Sequence, residues 1–251
     1  MERTEVIMGM PITVIIPASQ KVEPEPGAFD AVFASFREID EQFSPYKPES
    51  EVSRISRGAL STGDTSPLMR EVIRLCDETE ALSSGYFTPW FQGKFDPSGL
   101  VKGWAIARAS KLLDGLGYRH HCVEAGGDIE VRGFNDEGNP WEIGIRNPFD
   151  PHTLVKVLHL TDRGIATSGT YIRGRHIYNP KTGERIDGVP SLTVVGPNVY
   201  EADRLATAAY AMGEGGMGFL ASQTGIDAYQ IGPDRQALAT PGLVRFSGEY
   251  E

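Results

Sequence analysis

Two hydrophobic periodicities interleave along this chain, and together they confine it to a fold that mixes helices with strands. Phe29, Val32, Phe33, Phe36, Ile39 and Phe43 recur three or four positions apart, which predicts a helix over 27–43 with one apolar face, ended by Pro45. Ser66-Pro67 supplies an N-cap and a first-turn proline for a second helix that stops at Gly85. A third helix is expected over 100–113, closed by Gly115 and Gly117, and an Ala-rich one over 201–212, with a short helix near 217–222. β-Branched and aromatic runs predict strands at 12–16, 121–125, 129–133, 141–147, 154–160, 165–167, 176–178 and 192–195, and two more near the end. Residues 44–57 read as a polar loop with a short helical turn, residues 86–98 as an aromatic loop, and 135–139 as a hairpin turn. With 29 Gly and 17 Pro in 251 residues and no repeat or linker, the expectation is one α+β unit over 1–251.

A net charge of -10 argues against nucleic-acid binding, because phosphate backbones need basic surfaces. It leaves room for a small anionic substrate, since a metal or a helix N-terminus supplies local positive charge. Cys76 and Cys122 read as small buried hydrophobes without a disulfide. Residues 1–17 lack the basic leader and cleavage site of a signal peptide, and no run is long and apolar enough to span a membrane. The expected compartment is the cytoplasm.

Four stretches carry possible chemistry, each with a plain structural alternative. Asp96-Pro-Ser-Gly-Leu-Val-Lys102 opens a helix, either as an anion site with lysine or as a simple N-cap beside a solvated lysine. Glu124-Ala-Gly126-Gly127-Asp128 allows close backbone approach to a ligand, or forms a tight turn with an Asx-type bond. Ala166-Thr-Ser168-Gly169 and the following His176 offer hydroxyl and imidazole groups to a phosphate, or are ordinary strand residues. Asp203 and Thr207 stand one helical turn apart, so a carboxylate and a hydroxyl share a face. Both are hard oxygen ligands suited to magnesium; the alternative is a polar helix surface.

In this order the stretches resemble the ApbE family of FAD:protein FMN transferases. The resemblance runs from Met8-Gly-Met10 to the C-terminal strands, through Phe43-Ser-Pro-Tyr46, Ser50-Glu-Val-Ser-Arg54, Gly103-Trp-Ala105, Gly126-Gly-Asp128, Ala166-Thr-Ser-Gly169, His176-Ile-Tyr-Asn-Pro180 and Leu192-Thr-Val-Val195. It implies an α+β fold of mixed and antiparallel sheets with packed helices, in two lobes around a flavin-nucleotide cleft. It further implies magnesium-dependent transfer of FMN from FAD to a Thr or Ser hydroxyl of an acceptor flavoprotein, with release of AMP. Carried over by position, Met8 and Tyr46 contact the flavin nucleotide, and Asp96, Lys102, Gly126, Gly127, Asp128 and Ser168 line the FAD pocket. His176 meets the pyrophosphate, and Gly99 (through its carbonyl), Asp203 and Thr207 bind Mg2+. His176, Asp203 and Lys102 are the implied catalytic groups, with Asp203 or Asp96 as the acceptor's base.

The chain departs from the family pattern in an abbreviated segment from Tyr86 to Asp96, with Thr88-Pro89 where Asp-Pro is usual, and in a short stretch from Ser168 to His176. It also lacks the family's usual secretion signal and lipid-attachment cysteine, which implies a cytoplasmic acceptor. An FAD pyrophosphatase giving AMP and FMN, and a non-catalytic flavin-binding protein, are the competing readings.

Overall fold

The computed structural model describes residues 1–20, 27–169, 178–186 and 189–247. Strands β1 (Glu2–Ile7) and β2 (Met10–Ile15) form a hairpin, followed by helices α1 (Ala28–Phe43), α2 (Glu51–Ser56) and α3 (Pro67–Leu82). A small hairpin, β3 (Trp90–Phe91) and β4 (Lys94–Phe95), leads into α4 (Ser98–Gly115). Next come β5 (His121–Ala125), β6 (Asp128–Arg132), β7 (Trp141–Asn147), β8 (Asp150–Leu160), β9 (Arg163–Gly169) and β10 (Ser191–Gly196). Helices α5 (Val199–Ala211) and α6 (Gly216–Ala221) precede β11 (Asp227–Ile231) and β12 (Ala237–Ala239).

Eight of these strands form one sheet in the order β1-β2-β5-β6-β9-β10-β11-β12, every neighbouring pair antiparallel. Period-two alternation gives the sheet two buried faces. Ile12, Val14, Val123 and Ala125 pack with α1 and α4, and Ala166, Leu192 and Val194 pack with α5 and α6. On the opposite face Cys122, Val131, Ile165 and Val195 meet Trp141, Ile143, Leu158 and Leu160 of the β7–β8 hairpin. That is why β7 leaves the main sheet: its alternating Trp141, Ile143 and Ile145 are spent covering this second face, and β9 takes the place beside β6.

Helix α4 is buried nearly all round, so its position is set by packing and not by one apolar stripe. The Ala-rich α5 presents Ala202, Ala206 and Ala209 to the sheet, and such short side chains let its backbone come close.

Most predicted elements are present within two or three residues of their expected ends. The Ser66 hydroxyl accepts from the Met69 N–H at 3.2 Å, with Pro67 in the first turn. Three differences stand out, the first two with local causes. Strand β1 is largely exposed and polar, so it lacks a hydrophobic signature; its ladder with β2 holds it. The aromatic stretch contains β3 and β4 because Gln92 and Gly93, both at positive φ, close a two-residue turn. Strand β8 begins at Asp150, ahead of the apolar run. Of the strand expected at 176–178, only Tyr178 lies within the described residues, bridged to Arg185. Cys76 and Cys122 are buried free thiols.

Candidate active site

Helix α4 begins at the rim of a cavity of about 310 Å³. Asp96 shapes its entry: Oδ1 accepts from the Ser98 N–H at 3.0 Å, and the Asp96 N–H donates to the Pro89 carbonyl at 2.7 Å, tying the β3–β4 hairpin to the helix. The residue at the N-cap position, Pro97, supplies no side-chain cap, so this bond from Asp96 takes up the first helical N–H. Ser98, Gly99 and Lys102, from its first turn and a half, line the cavity.

Opposite stands α5, whose Asp203 and Thr207 line the same space. The two helices touch through glycine. A Cβ on Gly103 would lie 2.6 Å from Asp203 Cβ, and one on Gly99 would lie 3.0 Å from Thr207 Cγ2. The Gly103 N–H donates to Asp203 Oδ2 at 2.8 Å, which aims a carboxylate only 5% exposed.

The third wall is the sheet. Gly126 and Gly127, at φ 57 and 93, close the β5–β6 hairpin, and Gly126 reaches the cavity. Asp128, 1% exposed, does not make the Asx-type turn that its position suggested. Its Oδ2 pairs with Lys102 Nζ at 2.6 Å and its Oδ1 accepts from the Thr167 N–H at 3.2 Å. Lys102 is therefore a half-buried, paired ammonium and not a fully solvated one. The remaining wall is aromatic: Tyr86, Phe87, Phe91 and Tyr178, with Phe91 and Tyr178 stacked at 4.7 Å and Lys181 Nζ 4.0 Å above the Tyr86 ring.

The lining thus offers ring faces together with a lysine, hydroxyls and carboxylates. That is the complementarity of a ligand carrying both a planar ring and phosphate. Among the described residues no group of three His, Cys, Asp or Glu forms a metal cage. Magnesium does not need one, since it takes one or two protein carboxylates together with waters and substrate phosphates. Asp203 and Thr207, hard oxygen donors on one helix face beside the Gly99 backbone, fit that requirement.

Of the residues nominated from sequence, Asp96, Gly99, Lys102, Gly126, Ser168, Asp203 and Thr207 come together around the cavity. Asp128 lies behind Lys102, and Gly127 sits in the adjoining turn. Met8 occupies the β1–β2 turn at φ 56 and packs against the core, while Tyr46 is 92% exposed; neither lines the cavity. His176 lies outside the described residues. Phe87, Phe91, Thr167 and Tyr178 line the cavity without having been nominated individually; the aromatic clustering around 86–95 was the local signal for Phe87 and Phe91, while Thr167 and Tyr178 stood inside the stretches 166–169 and 176–180.

The sequence model of the ApbE family matches residues 8–93 and 90–230. The chain belongs to the ApbE family. Among its relatives, an FAD:protein FMN transferase of Vibrio cholerae is 36% identical over 129 residues, 47% of this chain and 39% of that protein. The FAD:protein FMN transferase of Escherichia coli K12 is 30% identical over 155 residues, 58% of this chain and 44% of that protein. Each match thus spans less than half of the relative's length. The flavin transferase ApbE of Vibrio cholerae superposes with a TM-score of 0.85 at 23% identity, covering 98% of both chains. An ApbE protein of Thermotoga maritima gives 0.88 at 21% identity, covering 99% of both. The ApbE fold, mixed helix and antiparallel sheet, is therefore shared along the chain.

Proposed function

We propose that this ApbE-family chain, acting as a single domain, transfers FMN from FAD to a Thr or Ser hydroxyl of an acceptor flavoprotein and releases AMP, with magnesium required. The observation that carries this reading is the convergence of Asp203, Thr207, Gly99 and Lys102 on one cavity that Tyr86, Phe87, Phe91 and Tyr178 also line. The names of the relatives, FAD:protein FMN transferases, support the same reaction.

In this reading the chain binds FAD along the cavity, its ring system against Tyr86, Phe91 and Tyr178 and its pyrophosphate toward α4 and α5. Asp203, Thr207 and the Gly99 carbonyl would hold magnesium, which when bound neutralises pyrophosphate charge and fixes its oxygens. Asp128 holds Lys102 in place, and the ammonium offsets negative charge developing on the phosphate. The acceptor oxygen bonds to the FMN phosphorus as the bond to the AMP oxygen breaks. Asp203 is buried and would be taken up by the cation, so exposed Asp96 at the rim is the better group for the hydroxyl proton. The family resemblance also assigns His176 to the pyrophosphate and Met8 and Tyr46 to the flavin nucleotide. Among the described residues no helix is long and apolar enough to cross a membrane.

The test is incubation of the purified protein with FAD, Mg2+ and a peptide bearing an acceptor Thr. A flavinylated peptide with equimolar AMP supports transfer. AMP and FMN without an adduct replace it with pyrophosphatase activity, and FAD binding without turnover leaves a flavin binder.

A further inference from the structure

Strand β6 lies beneath both helices of the site and presents them with two buried carboxylates on one face, Asp128 and Glu130. Asp128 reaches α4 through Lys102. Glu130, 0% exposed, reaches α5: its Oε2 accepts from the N–H of Val199, the helix's first residue, while Oε1 pairs with Arg132 at 2.6 Å. A carboxylate at this end also complements the helix dipole.

The seat beside Glu130 is equally restrictive. Its cross-strand partner on β9 is Gly164, and a Cβ there would lie 1.8 Å from the Val199 nitrogen. The helix therefore begins directly on the strand backbone. From Val199, Asp203 and Thr207 follow at one and two turns on the same face. A Cβ on Gly103 of α4 would meet both the Val199 carbonyl, at 2.7 Å, and Asp203 Cβ. A shift of the Val199 end therefore moves Asp203 and Thr207 relative to Gly99 and Lys102.

We propose that Glu130 is a positioning residue for the cation site, seating the first residue of α5 against Gly164 so that Asp203 and Thr207 face Gly99. This rests on the reading of Asp203 and Thr207 as cation ligands and extends it to a residue that touches neither FAD nor metal.

Mn2+ serves as the probe, its binding read by electron paramagnetic resonance. FAD binding is read separately by fluorescence without metal. Glu130→Ala, which removes the acceptor, is expected to weaken Mn2+ binding about tenfold or more, the range seen when groups supporting a metal ligand are removed. Metal-free FAD affinity stays within about twofold, and Glu130→Gln, which retains an acceptor for the Val199 N–H, stays close to wild type for Mn2+. Should Glu130→Ala fail to fold, Gly164→Ala pushes on the same nitrogen with Glu130 intact and should show the same selective loss. Wild-type Mn2+ affinity in Glu130→Ala or Gly164→Ala, or a loss in Glu130→Gln as large as in Glu130→Ala, overturns the inference. Wild-type protein that binds Mn2+ but transfers no FMN removes the transferase reading alone; wild-type protein that binds no Mn2+ removes both.

Discussion

The Gly103 backbone N–H and the Asp203 carboxylate, a hundred residues apart, are joined by a 2.8 Å hydrogen bond at the crossing of α4 and α5. The bond exists because residue 103 has no side chain; a Cβ would stand 2.6 Å from Asp203 Cβ. Gly103→Ala is therefore expected to spread the helices, lowering stability by about 1–3 kcal/mol as overpacking does. Turnover of FAD should fall at least about tenfold, because misplacing a reacting group by about an ångström is costly. Thermal melts and initial rates check the pair of effects.

Asp203 has two roles that substitution separates. Asp203→Asn keeps an acceptor for the Gly103 N–H but loses the charge; Asp203→Ala loses both. Both variants should lose magnesium-dependent turnover, by about a hundredfold or more on the scale of a removed electrostatic contact. The Asn variant should melt closer to wild type. Magnesium titrations of activity beside melting curves would show this, and unchanged turnover in either variant would remove Asp203 from the site.

The Lys102–Asp128 pair makes a prediction by double substitution. Lys102→Met leaves a carboxylate 1% exposed without its ammonium, which should destabilise the fold by about 3–5 kcal/mol. Adding Asp128→Asn should restore much of that loss without restoring activity, since the charge at the cavity is still gone. Denaturant unfolding measures the first, FAD turnover the second. If Lys102→Met is as stable as wild type, the pair is not the brace for α4 that its geometry implies.

Two buried groups give stability an opposed pH dependence. His121 donates from Nδ1 to the Tyr118 carbonyl at 3.0 Å and accepts at Nε2 from Ser110 at 2.7 Å; burial lowers its pKa to about 4. A depressed pKa contributes stability that is present above the ordinary value near 6.5 and lost as pH falls toward 4. Glu130 runs the other way: burial, against the pull of Arg132 and the Val199 N–H, pushes it up to about 7. Its contribution is full below about 4.5 and lost as pH rises through 7. The advantage of wild type over His121→Gln should therefore shrink between pH 6.5 and 4, and Glu130→Gln should gain on wild type between pH 4.5 and 8. Each change should be on the order of 2–3 kcal/mol, read by urea unfolding across that range. A pH-independent difference in either comparison removes that group from the account.

Whatever could be stated by neighbours in sequence was legible. The Ser66 cap, the proline after it, the apolar stripe of α1 and the strands 121–125 and 141–147 each rest on short-range rules. So did the spacing of Asp203 and Thr207, because one helical turn is a local distance. The order of Gly99, Lys102, Asp128, Ser168 and Thr207 sufficed to suggest the family. The chain alone did not say that β7 would abandon β6 for the opposite face, nor that Asp128 would serve Lys102 in place of its own turn. Glu130 carried no signal at all: it is one glutamate in a strand until α5, 69 residues later, lands on it. Those outcomes depend on which surfaces meet. Close approach across Gly103 and Gly164, and charge pairing in the dry space beneath two helices, are properties of the packed sheet and not of any single segment.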